Sequence, residues 1–137
     1  MSSATSTAAW RRTRWLLVGL GVSLPYIARI GSAGDYWSAS WQAQLFLLAV
    51  GAVMWLPLLA LTWLYRYRAS MWPPALLGLG FAFWAHVSVD LQADAQAGIA
   101  VVMIPFLSLA PTAIGALMGW GLDWRLRRKP VHPNHLT

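Results

Sequence analysis

The chain of 137 residues contains no cysteine and no glutamate, and charged residues make up only 10% of it. Without cysteine there is no disulfide, no thiolate metal site and no thiol nucleophile. Without glutamate the acids reduce to Asp35, Asp90, Asp94 and Asp123. A soluble domain carries about 25% charged residues, so this inventory cannot cover a water-facing surface. The sequence also has no Walker loop, HExxH, GxSxG or metal-ligand cluster. One histidine among the apolar segments cannot supply bis-histidine haem ligation. The expectation is a non-catalytic chain with no cofactor and no bound metal. The "HPNH" stretch at 132–135 is read as part of a polar, unstructured tail.

What the chain has instead is apolar length. Hydrophobic residues make up 58%, and ten residues are tryptophan, whose indole favours the bilayer–water interface. A helix needs roughly 20 apolar residues to cross a bilayer. Four segments approach that length, predicting helical spans at about 15–32, 41–65, 72–91 and 97–122. Helices are required because lipid cannot satisfy open backbone groups. Trp72 followed by Pro73 and Pro74 marks a helix start, where missing amide donors cost little. Flexible basic ends are expected at 1–10 and 127–137. The reading is an all-α, single-domain, integral membrane four-helix bundle with short connecting loops.

Charge then predicts the orientation. Arg11, Arg12 and Arg14 precede the first span, and Arg66 and Arg68 separate the second from the third. Arg125, Arg127, Arg128 and Lys129 follow the fourth, which leaves Arg29 as the sole basic residue elsewhere. The positive-inside rule therefore places both termini in the cytoplasm. These positions are topology signals, which weakens a nucleic-acid reading of the +6 net charge. A bacterial inner membrane is the expected location. Residues 9–28 also have the basic start and short apolar core of a signal peptide, and Arg11–Arg12 a loose twin-arginine look. Pro25 and Arg29 crowd the place a cleavage site would need, so a retained first helix is expected.

Small and polar residues mark the inward faces. In lipid, helices associate through close backbone approach and interhelical hydrogen bonds. The fourth span carries a stripe at helical spacing: Gly98, Pro105, Ser108, Thr112, Gly115, Gly119 and Asp123. The third presents Ala75, Gly78, Ala82, His86 and Asp90, and the second Gln44, Gly51, Trp55 and Thr62. Gly51, Gly78, Gly115 and Gly119 are the predicted packing glycines. Pro25, Pro57, Pro105 and Pro111 are the predicted kinks, each freeing a carbonyl four residues earlier. Asp123 is expected to pair with the arginines that follow it. Trp55 and Trp84 fall mid-span, where an indole N–H needs an acceptor.

The stretch "FWAHVSVDLQADAQ" holds the one compact ionisable motif in an apolar segment. His86 lies about 21 Å and Asp90 about 27 Å along the third helix from Trp72, and Arg29 about 21 Å from Trp15. Both helices run outward, so the three fall at similar depth, near the external face. An Arg29–Asp90 ion pair is predicted, with His86, Tyr26 and Gln44 beside it. Such charges are costly in a bilayer and are functional candidates; histidine changes charge near neutral pH, which suits proton relay. The cluster is read first as a latch between the first and third helices, and second as a binding or ion-entry site.

Function is legible largely by exclusion. Small multidrug exporters rely on a membrane-embedded glutamate, which is missing here. The primary expectation is an accessory subunit or immunity/defence-type membrane component. Its partners would be the lipid bilayer and another membrane protein or a second copy of itself, with no nucleic acid. The alternative is an oligomeric channel or proton- or ion-coupled transporter that uses Arg29, His86 and Asp90.

Overall fold

The computed structural model of the chain describes residues 3–30, 40–90 and 96–128. Among them every regular element is helical. α1 is Ser3–Ala28, α2 is Trp41–Leu64, and a 3₁₀ turn, Arg68–Met71, leads into α3, Trp72–Ser88. α4, Ala97–Leu107, and α5, Leu109–Arg128, are two parts of one helical stretch interrupted at Ser108. The chain is therefore all-α, with four helices of which the fourth is broken. Two stretches, Trp41–Leu64 and Gly98–Arg128, are long and apolar enough to cross a membrane.

Local chemistry explains the boundaries, and four of them move from the sequence expectation; one is the end of α1, at Ala28 rather than 32, with Arg29 and Ile30 in a turn. α1 begins at Ser3, so most of the 1–10 stretch expected to be flexible is helical. Alanine and arginine, both strong helix formers, supply half of residues 3–14. At the other end, Arg127 and Arg128 belong to α5. α3 stops at Ser88 rather than 91, with Val89 extended at φ −79° and ψ 120°. Ser88 Oγ donates back to the Trp84 carbonyl at 2.8 Å, a local bond that weakens the last turn. With 17 residues, α3 is about 26 Å long, slightly short of a typical hydrocarbon core. α2 starts on Ser40, whose hydroxyl accepts from the Ala43 amide, the usual N-cap bond.

The prolines divide into two kinds. Pro25 and Pro57 sit inside α1 and α2 without ending them. Pro105 and Pro111 flank the break. Pro111 lacks the N–H that would reach Leu107, and its ring crowds that carbonyl, so the helix is interrupted at Ser108. Ser108 Oγ donates to the Pro105 carbonyl at 2.6 Å and Thr112 Oγ1 to the Ser108 carbonyl at 2.7 Å. Ser108 and Thr112 are both buried, and these bonds satisfy their hydroxyl donors beside the interruption.

α3 and α5 pack antiparallel in close contact, and small residues make it possible. A Cβ on Gly115 would fall 2.5 Å from Pro74 Cα. One on Gly78 would strike the Thr112 hydroxyl, and one on Gly119 the Ser70 carbonyl. Gly21 of α1 lies against Trp55 of α2 in the same way. Gly51 is different: a Cβ there would meet nothing within 4 Å. Two apolar clusters fill the interior. Leu24, Met54, Ala82, Ala85 and Ile104 form one; Leu17, Tyr65 and Met71 form the other, nearer the start of α3. In lipid such contacts hold helices by close packing rather than by escape from water.

Candidate functional site

Polar side chains gather at the two ends of the bundle. The basic end joins the start of α3, the ends of α2 and α5, and the arginine-bearing part of α1. Its centre is Asp123, 2% exposed. Asp123 Oδ1 accepts from the Arg66 and Tyr67 backbone amides at 3.0 and 2.9 Å and from Ser70 Oγ at 3.2 Å. Oδ2 accepts from Arg127 Nε at 2.7 Å and forms the ion pair expected from their i,i+4 spacing. Every partner is a donor, so the site is built for the carboxylate. An α5 residue thereby holds the link between α2 and the 3₁₀ turn, satisfying two backbone amides that precede that turn. Tyr65 adds a second tie, donating to the Ala116 carbonyl at 2.7 Å.

Arginines complete this end. Arg14 Nε donates to Thr62 Oγ1 at 2.9 Å, and its guanidinium sits 4.5 Å above the Trp63 ring. Arg68 Nε donates to Thr13 Oγ1 at 3.0 Å, linking the 3₁₀ turn to α1. Arg128 lies over Trp124 at 3.4 Å. These are cation–π and charge-assisted contacts of the kind that hold a guanidinium at an apolar boundary.

The opposite end carries the sequence-predicted cluster. Arg29 follows α1 in a turn, its amide bonded to the Tyr26 carbonyl at 3.2 Å, and its side chain is 2% exposed. His86, in the last turn of α3, is 3% exposed and lies within electrostatic reach of Arg29. Tyr26 and His86 share the wall of a cavity of about 20 Å³ with Gly21, Pro25, Gly51, Trp55 and Pro105. That is room for about one water molecule. The Trp55 indole Nε1 is buried and has no hydrogen-bond acceptor among the described residues. Gln44 is half-buried in the first turn of α2, and Asp90 is exposed, beyond the Val89 cap of α3.

Comparison of the chain with protein-family models, curated proteins and solved structures finds no match.

The residues themselves must therefore carry the chemistry. Geometry joins Arg29, His86 and Tyr26 at one end, with the buried Trp55 donor in the cavity wall. Asp90 belongs to the same end but to its exposed rim, so the two members of the proposed ion pair differ in burial. No group of three or more metal-ligating side chains occurs among the described residues. Asp35, Asp94 and the "HPNH" stretch lie outside them. The node missed from sequence is Asp123 with the Arg66–Ser70 segment. Its signal was present in the inward stripe that places Asp123 four residues after Gly119, but its backbone partners belong to another helix pair.

Proposed function

We propose that the chain is a multi-pass protein of a bacterial inner membrane, with both termini cytoplasmic, that acts without catalysis through contacts with other membrane proteins. It would serve as an accessory subunit or an immunity- or defence-type component. The observation that carries this reading is the scale of the interior beside Tyr26 and His86. The cavity there holds about one water, too little for a permeating solute, whereas the outer faces of the helices are broad and apolar. Leu45, Leu56 and Trp63 of α2 and Ile114, Leu117 and Trp120 of α5 are all exposed. Exposed apolar faces of this breadth suit lipid and partner helices. The Arg29–Asp90 pair then acts as a latch between α1 and α3.

The test is reconstitution beside purification. Purified chain in liposomes should give no ion or solute flux above empty vesicles. Chain taken from its native membrane in mild detergent should run as an assembly well above its 15.1 kDa protomer. A second reading, an oligomeric proton- or ion-coupled carrier, is favoured by one observation: buried His86 shares a cavity wall with Tyr26 and an indole donor that has no acceptor among the described residues. Specific flux abolished by Asp90→Asn would replace the first reading with this one.

A further inference from the structure

At the basic end, α1 and α3 diverge around a groove of about 470 Å³, within the size range of small-molecule sites. Its walls are apolar, formed chiefly by Leu16, Leu20, Met71, Trp72, Leu76 and Gly80. Thr13 and Arg68 stand in its lining too. We propose that this groove holds one acyl chain of an anionic phospholipid, with the phosphate on Arg68. The proposal rests on the membrane reading above.

Three features select that occupant. From Met71 to Gly80 the groove follows α3 for roughly 14 Å at 1.5 Å per residue, a length suited to an extended hydrocarbon chain. Gly80 leaves the wall open, since a Cβ there would meet nothing within 4 Å. The charge is complementary. Arg68 is exposed, and its bond to Thr13 fixes the guanidinium beside the apolar walls. A planar guanidinium matches phosphate oxygens bidentately. Asp123, the one acid of this end among the described residues, is buried and engaged with Arg127, so it does not oppose an anion. Basic pockets between helices on the cytoplasmic side are where anionic headgroups bind.

The full chain is reconstituted in vesicles of equal phosphatidylglycerol and phosphatidylcholine, floated, extracted gently and examined by native mass spectrometry. One phosphatidylglycerol should stay bound per chain, preferred about fivefold over phosphatidylcholine, the effect of one arginine near a membrane surface. Arg68→Gln should remove the preference, Arg68→Lys should keep part of it, and Gly80→Phe should abolish retention of both lipids. On the wild type, a phosphatidylglycerol with a photoreactive acyl chain should crosslink to the groove-lining parts of α1 and α3. Equal retention by wild type and Arg68→Gln, or crosslinks spread evenly over α2 and α5, would overturn the site. Flotation without retained lipid overturns the site and leaves the membrane reading standing; failure to float overturns both.

Discussion

Asp123 is the residue on which the basic end depends, because one carboxylate satisfies two backbone amides, a serine hydroxyl and an arginine. Removing it strands the buried Ser70 hydroxyl and two part-buried amides, and an unsatisfied group costs up to about 1–3 kcal/mol when fully buried. Part of the Arg127 contribution is lost to screening, since that side chain is 49% exposed. Asp123→Ala should therefore destabilise the chain by about 3 kcal/mol, mostly through the Arg66 and Tyr67 amides. Asp123→Asn keeps an acceptor oxygen and should cost about half as much. Thermal unfolding in detergent micelles ranks the two; equal losses would show that charge, not the amide bonds, dominates. At the same end, Tyr65→Phe deletes only the hydroxyl that reaches Ala116 and should cost about 1 kcal/mol.

At the scale of the element, the α3–α5 contact is set by glycines that differ in what surrounds them. Gly115 abuts the Pro73–Pro74 backbone and Gly119 the Ser70 carbonyl, and neither neighbour is a flexible side-chain tip that could swing away. Gly115→Ala and Gly119→Ala should each cost about 1–3 kcal/mol by overpacking. Gly51→Ala has open space and should be neutral or slightly stabilising, since alanine is about 1 kcal/mol better than glycine within a helix. Thermal scans of the three variants under one condition decide the point; equal destabilisation would refute the packing account. This is also the scale at which the sequence was most and least readable. The i,i+4 recurrence of Gly115, Gly119 and Asp123 is a property of one helix, so their shared face followed from spacing alone. The break at Ser108 did not, because Pro105 and Pro111 each permit a kink, and spacing alone does not say which of the two interrupts the helix. The early end of α3 was hidden for the same reason: it turns on the Ser88–Trp84 bond and the extended Val89 rather than on hydropathy.

For the whole molecule, the two polar ends are physically unlike, and that difference makes orientation testable. The basic end concentrates arginines around Asp123, whereas the other end buries Arg29 beside His86 and leaves Asp90 exposed. Sequence spacing placed Arg29 and His86 at one depth because helix rise is constant. It could not assign their burial, which depends on how α1 and α3 turn toward each other. Nor could it show that Trp55 and Gly51 would share one cavity with Tyr26 and His86, since that requires α2 to close another side. The lack of native cysteine makes a clean experiment available, because each introduced thiol is then the sole target of a maleimide. Tyr67→Cys, on the exposed turn between α2 and α3, should be protected in intact cells and labelled after the inner membrane is opened. Asp90→Cys should be labelled by an impermeant maleimide that passes the outer membrane alone. The reverse pattern would invert the topology and move the Arg29–His86 end to the cytoplasm. Labelling of both sites from one side would mean that α3 does not cross the bilayer, consistent with a helix of 17 residues lying short of a full span.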